Sequence, residues 1–235
     1  MNKKQETILN TRSTLYALRS TNVGFTLVEM MVAIGIFLLI TAGAVFSFSK
    51  FQSNFLLTNL AYDIALSIRQ AQSYGVSARE SATRDSFSSG YGIRFASDDK
   101  YGFALFYDNP ESCNNGVSNY YDRKCGTGTT LSSCKVSSEY IKYYNIGNGN
   151  YISKICAIRS SSNSEECNIN YLDITFKRPN PEPFIWIDPS GPSLISNCER
   201  QPMFKSAYIK ISTATGDKVK TININSTGQV IVSNN

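Results

Sequence analysis

Glu29 is the only charge in the apolar run from Phe25 to Ser49. An ionised side chain at mid-membrane depth costs about 2.5 to 3.5 kcal/mol, so its presence there calls for a partner of opposite charge. The residues in front of it are Gly24, Phe25, Thr26 and two aliphatics, and the chemistry they point to is ion pairing in a low-dielectric setting. A second reactive set is Cys113, Cys125, Cys134, Cys156, Cys167 and Cys198, an even number and all in the later part of the chain. Against catalysis stands the complete absence of histidine, the commonest general base near neutral pH. Neither a Gly-x-Ser-x-Gly turn nor a phosphate loop is present. With no Cys-x-x-Cys pair and no histidine, zinc ligation is not expected, and no metal or cofactor is assigned. The chain therefore reads as a non-enzyme.

The element that carries Glu29 is an apolar segment of spanning length. As a helix rising 1.5 Å per residue, residues 25–49 cover roughly 37 Å, enough to cross a bilayer core with some tilt. A secretory signal has a shorter apolar region followed by its cleavage site, whereas a plain anchor has no use for the acid. Residues 1–24 carry Lys3, Lys4, Arg12 and Arg19 against Glu6, which keeps this end in the cytoplasm and exports the rest. Without them the net charge falls from +5 to +2, so the chain as a whole gives no support to nucleic-acid affinity.

Gly24/Phe25-Thr26-Leu27-Val28-Glu29 with the apolar run behind it resembles the processing site of type IV prepilins and type II secretion pseudopilins. The resemblance implies cleavage after Gly24 by a prepilin peptidase and N-methylation of Phe25. It also implies that Glu29 pairs with the Phe25 amine of a neighbouring subunit during assembly. The organisation that follows is a leader over 1–24, the transmembrane half of a spine helix over 25–49, its amphipathic half over 50–75, and an exported β-rich domain over 76–235.

In the amphipathic half, Leu57, Leu60, Ile64, Ile68 and Ala71 recur at spacings of three and four, with Asn59, Asp63, Ser67, Gln70 and Ser73 between them. Gly75 is the expected stop. Beyond it, short alternating runs predict strands at 91–96, 101–107, 139–144, 151–158, 171–177, 184–188, 207–212, 218–225 and 229–233. The last three form a meander through Thr215-Gly216-Asp217 and Ser226-Thr227-Gly228. Six of the seven prolines lie from Pro179 to Pro202, which predicts an irregular surface loop broken by Phe184-Ile-Trp-Ile187. Trp186 is assigned to core packing. Asp98-Asp99 and Asp108-Asn109-Pro110-Glu111 lack the spacing of a calcium loop and read as solvated turns. Asn225-Ser226-Thr227 fits a glycosylation triplet but falls in a tight turn.

The fold class is α+β, and by resemblance pilin-like: a long N-terminal spine helix packed on antiparallel β-sheet, with a disulfide-containing exported domain. Tyr91-Gly-Ile-Arg-Phe95, the stretch from Tyr171 to Pro179 and the Val219–Val232 meander resemble the minor pseudopilins of the GspH/FimT kind. Six exported cysteines read as disulfides. Fifteen pairings are possible; Cys156 with Cys167 and Cys113 with Cys125 would each close a short loop.

The function implied is a structural minor pilin or pseudopilin in a type IV pilus or type II secretion pseudopilus. Its partners would be the prepilin peptidase, the inner membrane before assembly, and other subunits through the spine helix. Its location would be single-pass in the inner membrane with a cytoplasmic N-terminus, then pseudopilus or extracellular filament. The alternative is a FimT-like filament subunit that binds DNA for uptake, for which Lys205, Lys210, Lys218 and Lys220 are the candidate contacts. No arginine follows Arg200, and Lys218 and Lys220 are placed on one strand face by alternation.

Overall fold

The computed structural model describes residues 24–77, 90–108, 110–111, 120–121, 125, 129–188 and 204–234. Of the expected cleavage site at Gly24 only the downstream side is thus described, and Cys113 and Cys198 lie outside the described residues. The chain divides into two compact units, Met1–Ser47 and Phe48–Asn235. Helix α1 (Leu27–Val76) has residues in both.

In the first unit, Leu27–Val45 is long and apolar enough to cross a membrane or to serve as a signal sequence, and every side chain in it is exposed. Contiguous apolar surface of that extent is rare on water-soluble monomers.

The second unit is α+β. After α1 come β1 (Gly90–Ala96), β2 (Asp99–Asp108), β3 (Pro110–Glu111), β4 (Tyr120–Tyr121), α2 (Leu131–Lys135), β5 (Tyr140–Asn145), β6 (Tyr151–Arg159), β7 (Glu165–Glu166), β8 (Tyr171–Lys177), β9 (Asn180–Ile187), β10 (Phe204–Ser212), β11 (Val219–Asn225) and β12 (Val230–Asn234). Two five-stranded antiparallel sheets result, ordered β5-β2-β1-β8-β9 and β12-β11-β10-β6-β7, with β3 and β4 pairing separately. The meander expected at the C-terminus is β10-β11-β12.

The main core joins three surfaces. Leu57, Ala61, Ile64, Ile68 and Ala71 of α1 pack with Ile93, Phe95, Leu172 and Ile174 of the first sheet and with Ile209, Ile211, Ile222 and Ile224 of the second. Each fully buried Leu or Ile side chain contributes about 1.5 to 3 kcal/mol. The three-and-four spacing read from the sequence is therefore the buried stripe of the helix, with one correction: Ser67, expected on the solvated side, is buried and donates to the Asp63 carbonyl at 2.9 Å.

The end of α1 is held by polar contacts. Gln72 donates to the Pro181 carbonyl at 2.9 Å and the Gly228 carbonyl at 3.3 Å, Arg69 to the Val230 carbonyl at 3.3 Å, and the Tyr144 hydroxyl to Gln70 at 3.0 Å. Gly75 is not the last helical residue, since α1 continues to Val76. It serves instead as a point of close approach: a Cβ there would sit 2.4 Å from the Phe176 carbonyl oxygen, and the Gly75 carbonyl accepts from the Arg178 amide at 2.9 Å.

Two expectations fail here. The proline-rich segment is not a loop from its start, because Asn180–Ile187 is strand β9, with Pro181 and Pro183 inside it. Proline lacks the ladder donor, and β9 tolerates it as an edge strand. The acidic turns are not merely solvated. Asp98 accepts from the Leu131 amide at 3.0 Å and so holds the start of α2, Asp99 accepts from the Tyr143 hydroxyl at 2.9 Å and Lys135 at 3.4 Å, and Asp108 is fully buried.

Candidate functional site

Two sites emerge from the residues upward, one at the start of α1 and one inside the second unit. Thr26 and Glu29 form the first. The Glu29 amide donates to Thr26 Oγ1 at 3.2 Å, and the Thr26 amide donates to Glu29 Oε2 at 2.9 Å. The Thr26 hydroxyl donates to the same carboxylate oxygen at 2.9 Å, a second contact there. This is a capping box, in which a Thr and the Glu three residues later satisfy each other's open amides at a helix start. Glu29 is thus satisfied locally, and among the described residues these contacts use only Oε2 and not its second oxygen, Oε1. Phe25, one residue upstream, is 81% exposed. The Thr-x-x-Glu spacing was legible in the sequence, although the reading of Glu29 as a charge awaiting an amine passed over it.

The second site is a buried ion pair that sequence reasoning missed. Arg94 on β1 and Asp173 on β8 are directly opposite in the strand register, and both side chains are fully buried. The guanidinium meets the carboxylate in a fork, Nε to Oδ1 at 2.8 Å and NH2 to Oδ2 at 2.5 Å. Its face lies 4.1 Å from the centre of the Tyr171 ring, and the Tyr171 hydroxyl accepts from the Trp186 indole at 3.0 Å. The Cys125 amide donates to Asp173 at 3.1 Å and the Thr130 carbonyl lies 3.5 Å from Arg94. Burial is the main cause that pushes the Tyr171 phenol up to about 12, with the Asp173 charge adding to it. The available signal was a charged residue at an alternate position within each of two apolar strand runs.

That pair lies on the face of the first sheet turned away from α1. A second cluster covers it: Ala96, Ala104, Phe106, Tyr171 and Trp186 of the sheet, with Leu131 and Cys134 of α2 and Cys125. Trp186 is a core residue, as expected. The covering segment is closed by a Cys125–Cys134 disulfide. Cys125 is therefore not bonded to Cys113, which corrects that short-loop expectation. The two sulfurs are brought together by α2, capped at Thr130 and Ser133, whose single turn folds Cys134 back over the sheet. The second expected pairing is present as Cys156–Cys167. Cys156, Glu165 and Cys167 present ligand atoms within 4.8 Å of one another, but both sulfurs belong to this disulfide. The Tyr208 hydroxyl donates to Glu165, which lowers the pKa of that carboxyl.

The four lysines weighed for DNA contact do not gather. Lys205 donates to Asn163 near one end of β10, and Lys210 sits 5.7 Å from the Tyr208 ring. Lys220 pairs in register with inward-facing Ile211, so it lies on the opposite face of the sheet from Lys210. Only Lys218 and Lys220 come together, in a polar cleft with Asn54 and Asn234. The glycosylation triplet is an Asx-type turn, in which Asn225 Oδ1 accepts from the Thr227 amide at 3.2 Å and the Gln229 amide at 3.0 Å.

No protein-family model matches the chain, and no curated protein and no solved structure matches it.

Proposed function

We propose that this chain is a minor pilin or pseudopilin, cut after Gly24, methylated at Phe25 and assembled through α1 into a pilus or secretion pseudopilus. The observation that carries the reading is the coincidence of Gly24, Phe25 and Glu29 with a helix whose residues Leu27–Val45 are apolar and wholly exposed. An apolar surface of that kind needs lipid before assembly and other helices after it. A further support is the division of labour along α1, whose later residues bury one stripe in the domain core. The unused Oε1 of Glu29 fits a carboxylate that keeps its capping role and takes a neighbour's amine as well.

Mass spectrometry of the mature protein from filament-enriched membranes tests the processing. The expected N-terminus is methylated Phe25; a protein that retains Met1, or one cut beyond residue 40, overturns the reading. The assembly role of Glu29 is tested by two variants with separable effects. Glu29→Val removes both the capping box and the counter-charge, and an uncompensated buried amine costs about 3 to 5 kcal/mol. Thr26→Ala removes the hydroxyl side of the box alone, at about 0.5 to 2 kcal/mol, and leaves the carboxylate. Glu29→Val should be lost from sheared filaments while Thr26→Ala still enters them. Equal loss of the two would reduce Glu29 to a helix cap.

A further inference from the structure

Among the described residues, the cleft formed by Asn54, Asp217, Lys218, Val219, Lys220 and Asn234 has a volume of about 270 Å³ and is mostly polar. Its walls are the side of α1 near the start of the second unit and the ends of β11 and β12. Two of its groups are cationic. Lys218 has the adjacent Asp217 carboxylate as its acidic neighbour, and Lys220 donates to the neutral Asn234 amide oxygen. The one lining carboxylate, Asp217, is held mainly by the turn: it accepts from the Thr213 hydroxyl at 2.7 Å and the Thr215 hydroxyl at 2.5 Å, contacts that, with a smaller contribution from the Lys218 charge, hold its pKa below the usual carboxylate range, so the lining carries a net charge of one positive unit. It stays ionised at neutral pH, but its charge is spread into the turn that it closes. The ammonium groups of Lys218 and Lys220 and the amides of Asn54 and Asn234 supply donors for a compact anion with several acceptor oxygens, which is the chemistry of a phosphate.

We propose that this cleft binds the phosphodiester headgroup of an anionic membrane lipid while the chain resides in the bilayer. The assignment rests on the reading of Leu27–Val45 as a membrane span. Asn54 follows Val45 by nine residues, which reach no more than about 32 Å even when fully extended. A cleft so tethered would encounter the lipid surface as an intramolecular partner, which raises its effective concentration above that of a free ligand. A site too weak to hold free phosphate therefore suffices. Lys220 pairs with inward-facing Ile211 and Lys218 immediately precedes β11, which places both at the strand end beside α1; a strand-alternation argument could group them without showing what they line. Nucleic acid is disfavoured as the ligand because Lys205 and Lys210 do not extend the cleft into a track.

The full chain reconstituted into lipid nanodiscs provides the test. Discs of phosphatidylcholine alone and of phosphatidylcholine with phosphatidylglycerol are treated with an amine-acetylating reagent, and the modification of each lysine is read by mass spectrometry. Phosphatidylglycerol should slow acetylation of Lys218 and Lys220 about fivefold, the factor expected for one lysine at an anionic lipid surface. Lys205 lies about 24 Å along β10 from Ser212 and should be unaffected. In Lys218→Gln the protection of Lys220 should weaken. Equal rates in the two lipids overturn the headgroup site. Equal protection in phosphatidylcholine discs by added inorganic phosphate, or by a short DNA duplex, overturns the lipid assignment in favour of that ligand. A chain that fails to co-elute with the discs overturns the membrane reading, and the cleft proposal with it; a chain that co-elutes without lipid-dependent protection leaves that reading standing and removes the cleft alone.

Discussion

Replacing Arg94 with Met would strand the Asp173 carboxylate inside the second unit. Both side chains are fully buried and the fork between them, at 2.8 and 2.5 Å, supplies most of what the carboxylate receives in place of water. Without it, the Cys125 amide at 3.1 Å is the remaining hydrogen bond to that carboxylate among those described above. Removing one member of a buried pair costs about 3 to 5 kcal/mol, a large share of the 5 to 15 kcal/mol that typically separates a folded domain from its unfolded state. At about 1.4 kcal/mol per tenfold, the folded-to-unfolded ratio falls by two to three and a half powers of ten. Arg94→Met/Asp173→Leu removes both charges and leaves the Cys125 amide without its acceptor and the Thr130 carbonyl without the Arg94 contact, losses of about 1 to 3 kcal/mol for the buried amide that better apolar packing offsets. The double variant should therefore recover at least half of what the single one loses. Trp186, the only tryptophan, touches the same network through Tyr171, so its emission during denaturant unfolding of the detergent-solubilised chain reports the transition. A single variant that costs less than about 1 kcal/mol, or a double variant no more stable than the single, refutes the argument that uncompensated charge governs this site.

Gly75→Ala forces a Cβ to within 2.4 Å of the Phe176 backbone, and the helix must move away from β8; a loss of about 1 to 3 kcal/mol in thermal unfolding is expected, and an unchanged midpoint would show that the approach is looser. Peptide mapping without reduction should recover Cys125 joined to Cys134 and Cys156 joined to Cys167, while a Cys113–Cys125 peptide would contradict the covering segment described above. Burial pushes the phenols of Tyr143, Tyr171 and Tyr208 up to about 12. Because the folded state then holds protons that the unfolded state releases from about pH 10 upward, this contribution is complete below pH 10 and is lost as pH rises towards 12. Ultraviolet titration should show a late-ionising set that coincides with unfolding, and ionisation of every phenol near pH 10 in the folded chain would count against it.

Residues that act through local spacing were legible in one dimension. The apolar run and its single acid, the three-and-four stripe from Leu57 to Ala71 and the position of nearly every long strand follow from side-chain period and chain punctuation, which are properties of neighbours in sequence. The Thr26–Glu29 box belongs to the same class. What folding alone decided are the pairings between distant residues. Nothing local to Arg94 or Asp173 says that they meet, because their register depends on β1 and β8 being neighbours in one sheet. Cys125 could be joined to several sulfurs by spacing, and the choice of Cys134 follows from α2, whose capped turn is seated by Asp98 across the β1–β2 hairpin. Strand β9 keeps its prolines because it ended up at an edge, a fact about its missing neighbour and not about its own residues. Lys218 and Lys220 were grouped by alternation, but the cleft they line exists only where Asn54 of α1 comes to lie beside them. Short-range period is written in the chain, whereas the partner of a buried charge, a sulfur or a sheet edge is set by which surfaces the core brings together.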